Sequence, residues 1–330
     1  TWGLDAALLI VAADDGWMQM SSDHLRVLKA MQIGAILLVI TKADLADDEM
    51  ISLIQEDANR HCREILGHEL PSVAVSAQTG AGIGLLKEKI TELLNTVRPN
   101  PPDKPFLYID RMFTLKGIGI TVTGTLRGKR IAIGDQLTLY PGGTECRIKN
   151  IQNHHADVQS SEPGMRTALN LKIAEKASVE RGMLLAGAGE SPVLQGAELL
   201  IRVDESFTAQ ETGGGIKNHS ELELAAGSTH AIGAIHFHKA DPSLARVSLQ
   251  EAIAGRWNQN AVLIRHGGSA ILASCRILAA FDTYRAAAFK QLFSVYAGRE
   301  LPSWKSSRFF IDGYIEKDRA TPQELSPDTA

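Results

Sequence analysis

The chain has 330 residues, 44% of them hydrophobic and 22% charged, with a net charge of −4. That length supports two to four compact domains, and the charge excludes a uniformly basic nucleic-acid binder. No apolar run approaches the ~20 residues of a membrane span, and no basic stretch leads into an apolar core, so neither an anchor nor a secretory signal is read. The three cysteines, Cys62, Cys146 and Cys275, are far apart and odd in number. They fit reduced thiols in a cytoplasmic setting better than a disulfide framework or a zinc site.

Residues 4–97 alternate strand and helix. The apolar run Ala7–Ala13 predicts a strand buried on both faces. Ser22 can cap the helix that follows, with Leu25, Leu28 and Met31 on one side. Ala35–Ile40 predicts a second buried strand. Ile51, Ile54, Ala58, Cys62 and Ile65 form a helical stripe, Ser72–Val75 a short third strand, and Leu86, Ile90, Leu93 and Val97 a last helix. This order predicts a parallel sheet covered by helices.

Asn100-Pro101-Pro102-Asp103 punctuates the chain as a stiff linker. Beyond it, residues 106–187 read as short strands between turn signals such as Arg127-Gly128, Pro141-Gly142-Gly143 and Pro163-Gly164. Residues 197–281 read the same way, with turns at Gly213-Gly214-Gly215, Gly227, Gly233 and Gly267-Gly268. Both stretches predict all-β barrels or sandwiches. Thr283–Ala297 turns helical again, and the residues from Arg319 onward are polar and Pro-containing, as in a frayed tail. From Lys104 to Asn150 there are eight basic residues against three acidic ones. An RNA backbone nearby would suit that excess, but the charge alone fits a solvated barrel rim better.

The chemistry concentrates at two consecutive strand ends. Thr41-Lys42-Ala43-Asp44 closes the second strand, and ligands of open α/β sheets bind at the carboxyl ends of strands. A carboxylate at Asp44 can accept from two N–H groups on one edge of a planar base, as guanine offers. Lys42 can lay its aliphatic stem over that base. Ser76-Ala77 closes the next strand and enters a turn with Gly80, Gly82 and Gly84, whose N–H groups can donate to a base carbonyl. Either piece alone recurs by chance; the pair, one helix apart, is specific.

The run Ile40-Thr41-Lys42-Ala43-Asp44 with Ser76-Ala77 resembles the guanine-reading half of a translational GTPase. Thr41, where most of that superfamily has Asn, is similar to the selenocysteine-specific elongation factors. The opening Gly3–Gly16 resembles the strand after the second switch in that family. Ile109–Gly117, Val122-Thr123-Gly124-Thr125, Gly134-Asp135 and Gly164–Asn170 resemble its second domain, and residues 197–280 resemble its third more loosely. The resemblance implies a multi-domain α/β plus all-β protein. A partial P-loop-type G domain (1–98) and a linker (99–104) would precede two β-barrels (105–190 and 191–281) and a helical tail (282–330).

The resemblance further implies GTP or GDP with Mg²⁺ as cofactor of the intact protein, cytoplasmic location, and delivery of selenocysteinyl-tRNA to the ribosome. A guanine site of Thr41, Lys42, Asp44, Ser76 and Ala77 follows from it, as does contact of Asp110, Arg111 and Arg166 with the selenocysteinyl group. The alternative for Asp110 and Arg166 is a plain barrel salt bridge. The sequence departs from the family in holding no G-x-x-x-x-G-K-[ST] phosphate loop, first switch or Asp-x-x-Gly. The expectation is therefore a fragment open at both ends, without the modules that grip a messenger hairpin. It would hold nucleotide poorly and have no catalytic residue of its own. A non-catalytic RNA-binding or ribosome-associated module, and another translational GTPase such as an ordinary aminoacyl-tRNA carrier, stay open as alternatives. His236-x-His238 is a possible metal pair on one strand face without an evident third ligand; His154-His155 and His219 read as surface residues. Trp2 and Trp17 read as packing groups or as exposed.

Overall fold

A computed structural model describes residues 3–97, 104–115, 119–173, 178–188, 193–206, 216–268 and 270–298. The chain divides between Asn100 and Pro101 into two units. The Gly213-Gly214-Gly215 turn, Trp2, most of the linker and the tail beyond residue 298 lie outside the described residues.

The first unit alternates β1 (Ala6–Ala12), α1 (Gln19–Ala30), β2 (Ala35–Thr41), α2 (Asp48–Leu66), β3 (Ser72–Ala74) and α3 (Ile83–Thr96). The strands form a parallel sheet in the order β1-β2-β3. Because side chains alternate across a strand, β2 serves two cores. Ile36, Leu38 and Ile40 face Leu9, Val11, Leu25, Leu28, Ile54, Ala58 and Cys62 on one side. Leu37 and Val39 face Val73, Val75 and the α3 residues Ile83, Leu86, Ile90 and Leu93 on the other.

Two expectations are corrected here. β1 is buried on one face only: Leu8 and Ile10 are 42% and 51% exposed, because β1 is an edge of the described sheet and α3 packs over β2 and β3. Ser22 is not a cap. The helix starts a turn earlier, with Met18 at its N-cap, and the Ser22 hydroxyl accepts from Trp17 Nε1 at 2.9 Å. Trp17 also stacks on His61, its ring centroid 5.0 Å away.

The second unit is β-rich. Its strands begin with β4 (Phe106–Tyr108), β5 (Arg111–Leu115), β6 (Gly119–Thr125), β7 (Ile131–Ala132) and β8 (Gln136–Tyr140). They continue with β9 (Thr144–Asn153), β10 (Ala156–Val158), β11 (Ser160–Ser161), β12 (Arg166–Ile173) and β13 (Leu184–Ala186). Most join one sheet in the order β4-β13-β8-β9-β12-β6-β5, with β10 on β9; β7 pairs with β11 separately. Alternate apolar residues, among them Val122, Leu137, Leu139, Ile148, Ile151, Leu169 and Leu171, form its core. This is a half-barrel.

A closed barrel follows, built from β14 (Val193–Ser206), β15 (Glu221–Ala226), β16 (Thr229–Phe237), β17 (Leu244–Arg256), β18 (Gln259–Arg265) and β19 (Ile271–Phe281). Closure removes free edges. The expected final helix is α4 (Ala286–Tyr296). It lies on the barrel, with Phe289, Leu292, Val295 and Tyr296 packed against Leu200, Leu244 and Leu278. The two β-structures are joined by Tyr108, fully buried, whose hydroxyl donates to Gln259 Oε1 at 2.5 Å. All three cysteines are buried free thiols, and burial raises Cys62 and Cys146 to about 11.

Candidate guanine-reading and aminoacyl-reading sites

The carboxyl ends of β1, β2 and β3 converge. Thr41 pairs with Ala12 across the sheet, and its carbonyl accepts from Ala13 N at 2.8 Å. Lys42 turns left-handed (φ 56°), which swings Ala43-Asp44-Leu45 into a single 3₁₀ turn. Ala43 N donates to Val75 O at 3.1 Å, tying this turn to the end of β3. Asp44 is exposed, and among the described residues its carboxylate has no ion-pair or hydrogen-bond partner.

The neighbouring loop is built around Ser76, which is fully buried. Its hydroxyl accepts from Thr79 N at 3.1 Å, its carbonyl from Gly80 N at 3.0 Å, and its own N–H donates to Ala81 O at 3.0 Å. Ser76 is thus a scaffold rather than a surface contact. Ala77 is exposed, and the N–H groups of Ala77 and Gln78 meet no acceptor among the described residues. Gly82 closes the loop at φ 72°, where a β-carbon would sit 2.1 Å from Ala74 O. Only glycine fits there. A free carboxylate and two free amide donors are what the edge and carbonyl of guanine require, so these residues fit the base half of a guanine nucleotide.

One participant was not read from the sequence. Lys42 Nζ donates to both oxygens of Asp14, at 2.6 and 2.8 Å, and lies 4.0 Å from Asp15. The Lys42 hydrogen bond holds the Asp14 carboxyl below its ordinary range, and the same bond raises Lys42. The signal was present: Asp14 follows β1, the strand beside β2, so sheet order alone brings the two ends together. Among the described residues no cluster of three or more His, Cys, Asp or Glu is placed to hold a metal.

The second site lies on the half-barrel. Arg166 grips Asp110 in a two-point contact, Nη1 to Oδ2 at 2.6 Å and Nη2 to Oδ1 at 3.0 Å. Thr123 Oγ1 donates to the same Asp110 Oδ1 at 2.6 Å, and Asp110 N donates to Thr123 O at 2.9 Å. Arg111 pairs with Thr123 and Arg166 with Thr125 in the sheet register. Thr123 and Thr125 are two apart on β6, so both arginines rise from one face. Arg111 is exposed and has no ion pair among the described residues. The sequence placed Asp110, Arg111 and Arg166 but not Thr123, which was only part of a motif.

The histidines of the closed barrel separate. His236 Nδ1 meets His219 Nδ1 at 2.9 Å, while His238 stacks on Phe293 with ring centroids 4.4 Å apart. Burial, then Arg246 and His219, push His236 below its ordinary value. His219 is therefore exposed but not idle, and His236 and His238 take different partners.

The Elongation factor Tu GTP binding domain family matches residues 2–97. The selenocysteine-specific elongation factor of Desulfomicrobium baculatum is 36% identical over 56% of this chain and 29% of its own length. That of Haemophilus influenzae is 29% identical over 84% of this chain and 44% of its own. A bacterial selenocysteine-specific elongation factor structure superposes with a TM-score of 0.76 at 24% identity, covering 89% of this chain and 48% of that one. The Methanococcus maripaludis factor with a GTP analogue gives 0.72 at 20% identity, over 85% and 66%. The chain is similar over most of its length to selenocysteine-specific elongation factors, and its first unit matches the Elongation factor Tu GTP binding domain family. It spans less than half the length of these curated relatives. The fold is an Elongation factor Tu-like G-domain sheet followed by β-barrels.

Proposed function

We propose that the chain serves GTP-dependent delivery of selenocysteinyl-tRNA to the ribosome in selenoprotein synthesis, in the cytoplasm. The reading divides the chain as its sequence does, into a guanine-reading part (1–98), a linker (99–104), two barrels (105–190 and 191–281) and a helical segment (282–330). Asp44 accepts from the guanine edge, the Ala77 loop donates to its carbonyl, and the stem of Lys42 covers the ring, with Thr41 at the base of the turn and Ser76 shaping the loop. No residue set here is assigned to the phosphates or to Mg²⁺, and these 330 residues contain no phosphate-loop motif. GTP supplies the switch in such proteins through its γ-phosphate and Mg²⁺.

The observation that carries the reading is the charge arrangement around Asp110. Two guanidiniums rise from one sheet face, and the Asp110 carboxylate is held by Arg166 and Thr123. Arg111 is left as an unneutralised cation. A thiol has a free pKa of ~8.5, and a selenol is more acidic, so a selenocysteinyl side chain is anionic at neutral pH. Seryl and cysteinyl groups are not. A site holding one spare positive charge favours the anion and rejects its neutral isosteres, which leave that charge unpaired. Arg166, fixed by Asp110, then acts as a directed donor and Arg111 as the counter-charge.

The test is competition between selenocysteinyl- and seryl-tRNA of the same sequence, with the chain joined to a segment carrying a phosphate loop. The expected result is strong preference for the selenocysteinyl form, most of it erased by Arg166→Ala or Arg111→Ala. Equal discrimination by the variants would overturn the assignment.

A further inference from the structure

A second cationic site lies on the closed barrel, away from Asp110. A cavity of about 310 Å³ opens where the end of β16 meets β17 and α4, lined by His236, Phe237, His238, Lys239, Arg246, Tyr284 and Phe293. Its size is at the lower end of small-ligand pockets. Four of its seven lining residues carry basic nitrogen, and none is acidic. The acids nearby are already engaged. Glu198 accepts from Arg246 Nη1 at 3.2 Å and from Ser248 Oγ at 2.9 Å. Asp241 accepts from Ser243 and from Gly298 N at 2.8 Å.

The cationic groups are held in place but not used up. Arg246 is anchored by Glu198 and by the Tyr284 ring, 4.2 Å from its guanidinium carbon. It engages Glu198 through Nη1, and no other hydrogen bond ties its remaining nitrogens among the described residues. His236 is fixed through Nδ1 by His219. Lys239 is exposed without an ion pair among the described residues. His238 is clamped against Phe293, and its Nδ1 is buried with no hydrogen-bond partner. A buried polar nitrogen left unpaired is costly and calls for a partner.

We propose that this cavity binds a phosphate group. A tetrahedral oxyanion offers acceptors to several donors at once, and charge-assisted bonds from Arg, Lys and His are among the stronger ones in proteins. The phosphate supplies the acceptor that His238 Nδ1 lacks, Lys239 supplies the unpaired positive charge, and the Arg246 nitrogens not engaged by Glu198 donate to it. The group comes either from a free phosphate or phosphomonoester or from the backbone of an RNA strand, which presents the same oxygens.

The experiment follows the histidine ring resonances of the chain during titration with inorganic phosphate, adenosine 5′-monophosphate, adenosine, and a short single-stranded RNA lacking a terminal phosphate. His238 and His236 signals are expected to move with phosphate-bearing ligands and not with adenosine. A response to phosphate and the monophosphate assigns a free ligand; a response to RNA alone assigns a backbone phosphate. Lys239→Ala removes a solvent-exposed charge without touching a buried contact, and His238→Phe keeps the ring on Phe293 while deleting the nitrogens. Each is expected to weaken binding about tenfold or more, the scale of one lost bond to a charged group. Absence of any phosphate-dependent shift, or affinity in Lys239→Ala and His238→Phe unchanged from that of the parent chain, would overturn the proposal. It stands apart from the Asp110 site, so failure of either leaves the other intact.

Discussion

Two carboxylates at the ends of adjacent strands have different fates. Asp14 is occupied by Lys42 Nζ, while Asp44 is left free. Only the free one is available to read a base edge. Replacing Asp44 by Asn turns a pure acceptor into a group that also donates, so a base with a carbonyl where guanine has its amine becomes the better match. In the chain joined to a phosphate loop, Asp44→Asn is expected to shift preference from guanosine to xanthosine nucleotide by about tenfold or more. Fluorescent-nucleotide displacement measures this, and an unchanged preference would remove Asp44 from the site. Arg166 allows a separation of structural from functional effect. Its side chain is 54% exposed and that of Asp110 27%. Such a pair contributes about 0–1 kcal/mol. Arg166→Ala is therefore expected to lower stability by less than about 1 kcal/mol in urea titration, while most tRNA discrimination is lost. A larger loss of stability would mark the pair as chiefly structural.

At the scale of elements, the strand ends were legible because buried strands announce themselves as apolar runs and the candidate site residues follow directly. Ala35–Thr41 and the Thr41–Asp44 turn came out almost as read. What escaped was pairing between elements: Lys42 with Asp14, Thr123 with Asp110, His219 with His236. Each joins residues brought together by register or sheet order, which local pattern does not carry. The one-sided burial of β1 escaped for the same reason, since an apolar run does not say what covers each face. The docking of α4 depends on such a pairing too. Asp241 accepts from Gly298 N just past the helix and from the Ser243 hydroxyl, and that hydroxyl first, then Gly298, Ser243 N and Arg202, lower its pKa from 3.8. A carboxylate lowered by folding stabilises fully above its unfolded value, and loses that contribution as pH falls through the folded one. Acidification below about pH 4 is thus expected to loosen the end of α4. Faster exchange of the Gly298 amide would show it, with Asp241→Asn removing the pH dependence of that amide; a rate equally pH-dependent in the variant would assign the effect elsewhere.

The two units differ in how far their sheets are closed and covered. In the barrel unit, closure leaves no free edge in one β-structure, and Tyr108 passes its hydroxyl into the other, burial raising it to about 12. Gly227 turns at φ +61° against that ring, where a β-carbon would lie 2.5 Å from Tyr108 Cε1. Such close packing resists local opening. The first unit has a three-stranded sheet in which β1 exposes Leu8 and Ile10. No residue of α3 is fully buried, and Leu85 and Leu94 are exposed. Apolar surface left in water contributes nothing to stability, and an uncovered edge with apolar neighbours invites association. Residues 3–97 are therefore expected to exchange amide hydrogens much faster than residues 104–281, to bind a hydrophobic dye, and to limit solubility. Hydrogen exchange read by mass spectrometry on the chain tests this directly. Uniform protection across both units would show that the three strands and their helices suffice, and would overturn the expectation. The same difference bears on the candidate guanine-reading residues. Asp44 and the Ala77 loop hang from the less stable unit, whereas Asp110, Arg111 and Arg166 stand on the more stable one. Mild denaturant should therefore abolish nucleotide contacts before it disturbs the arginine face.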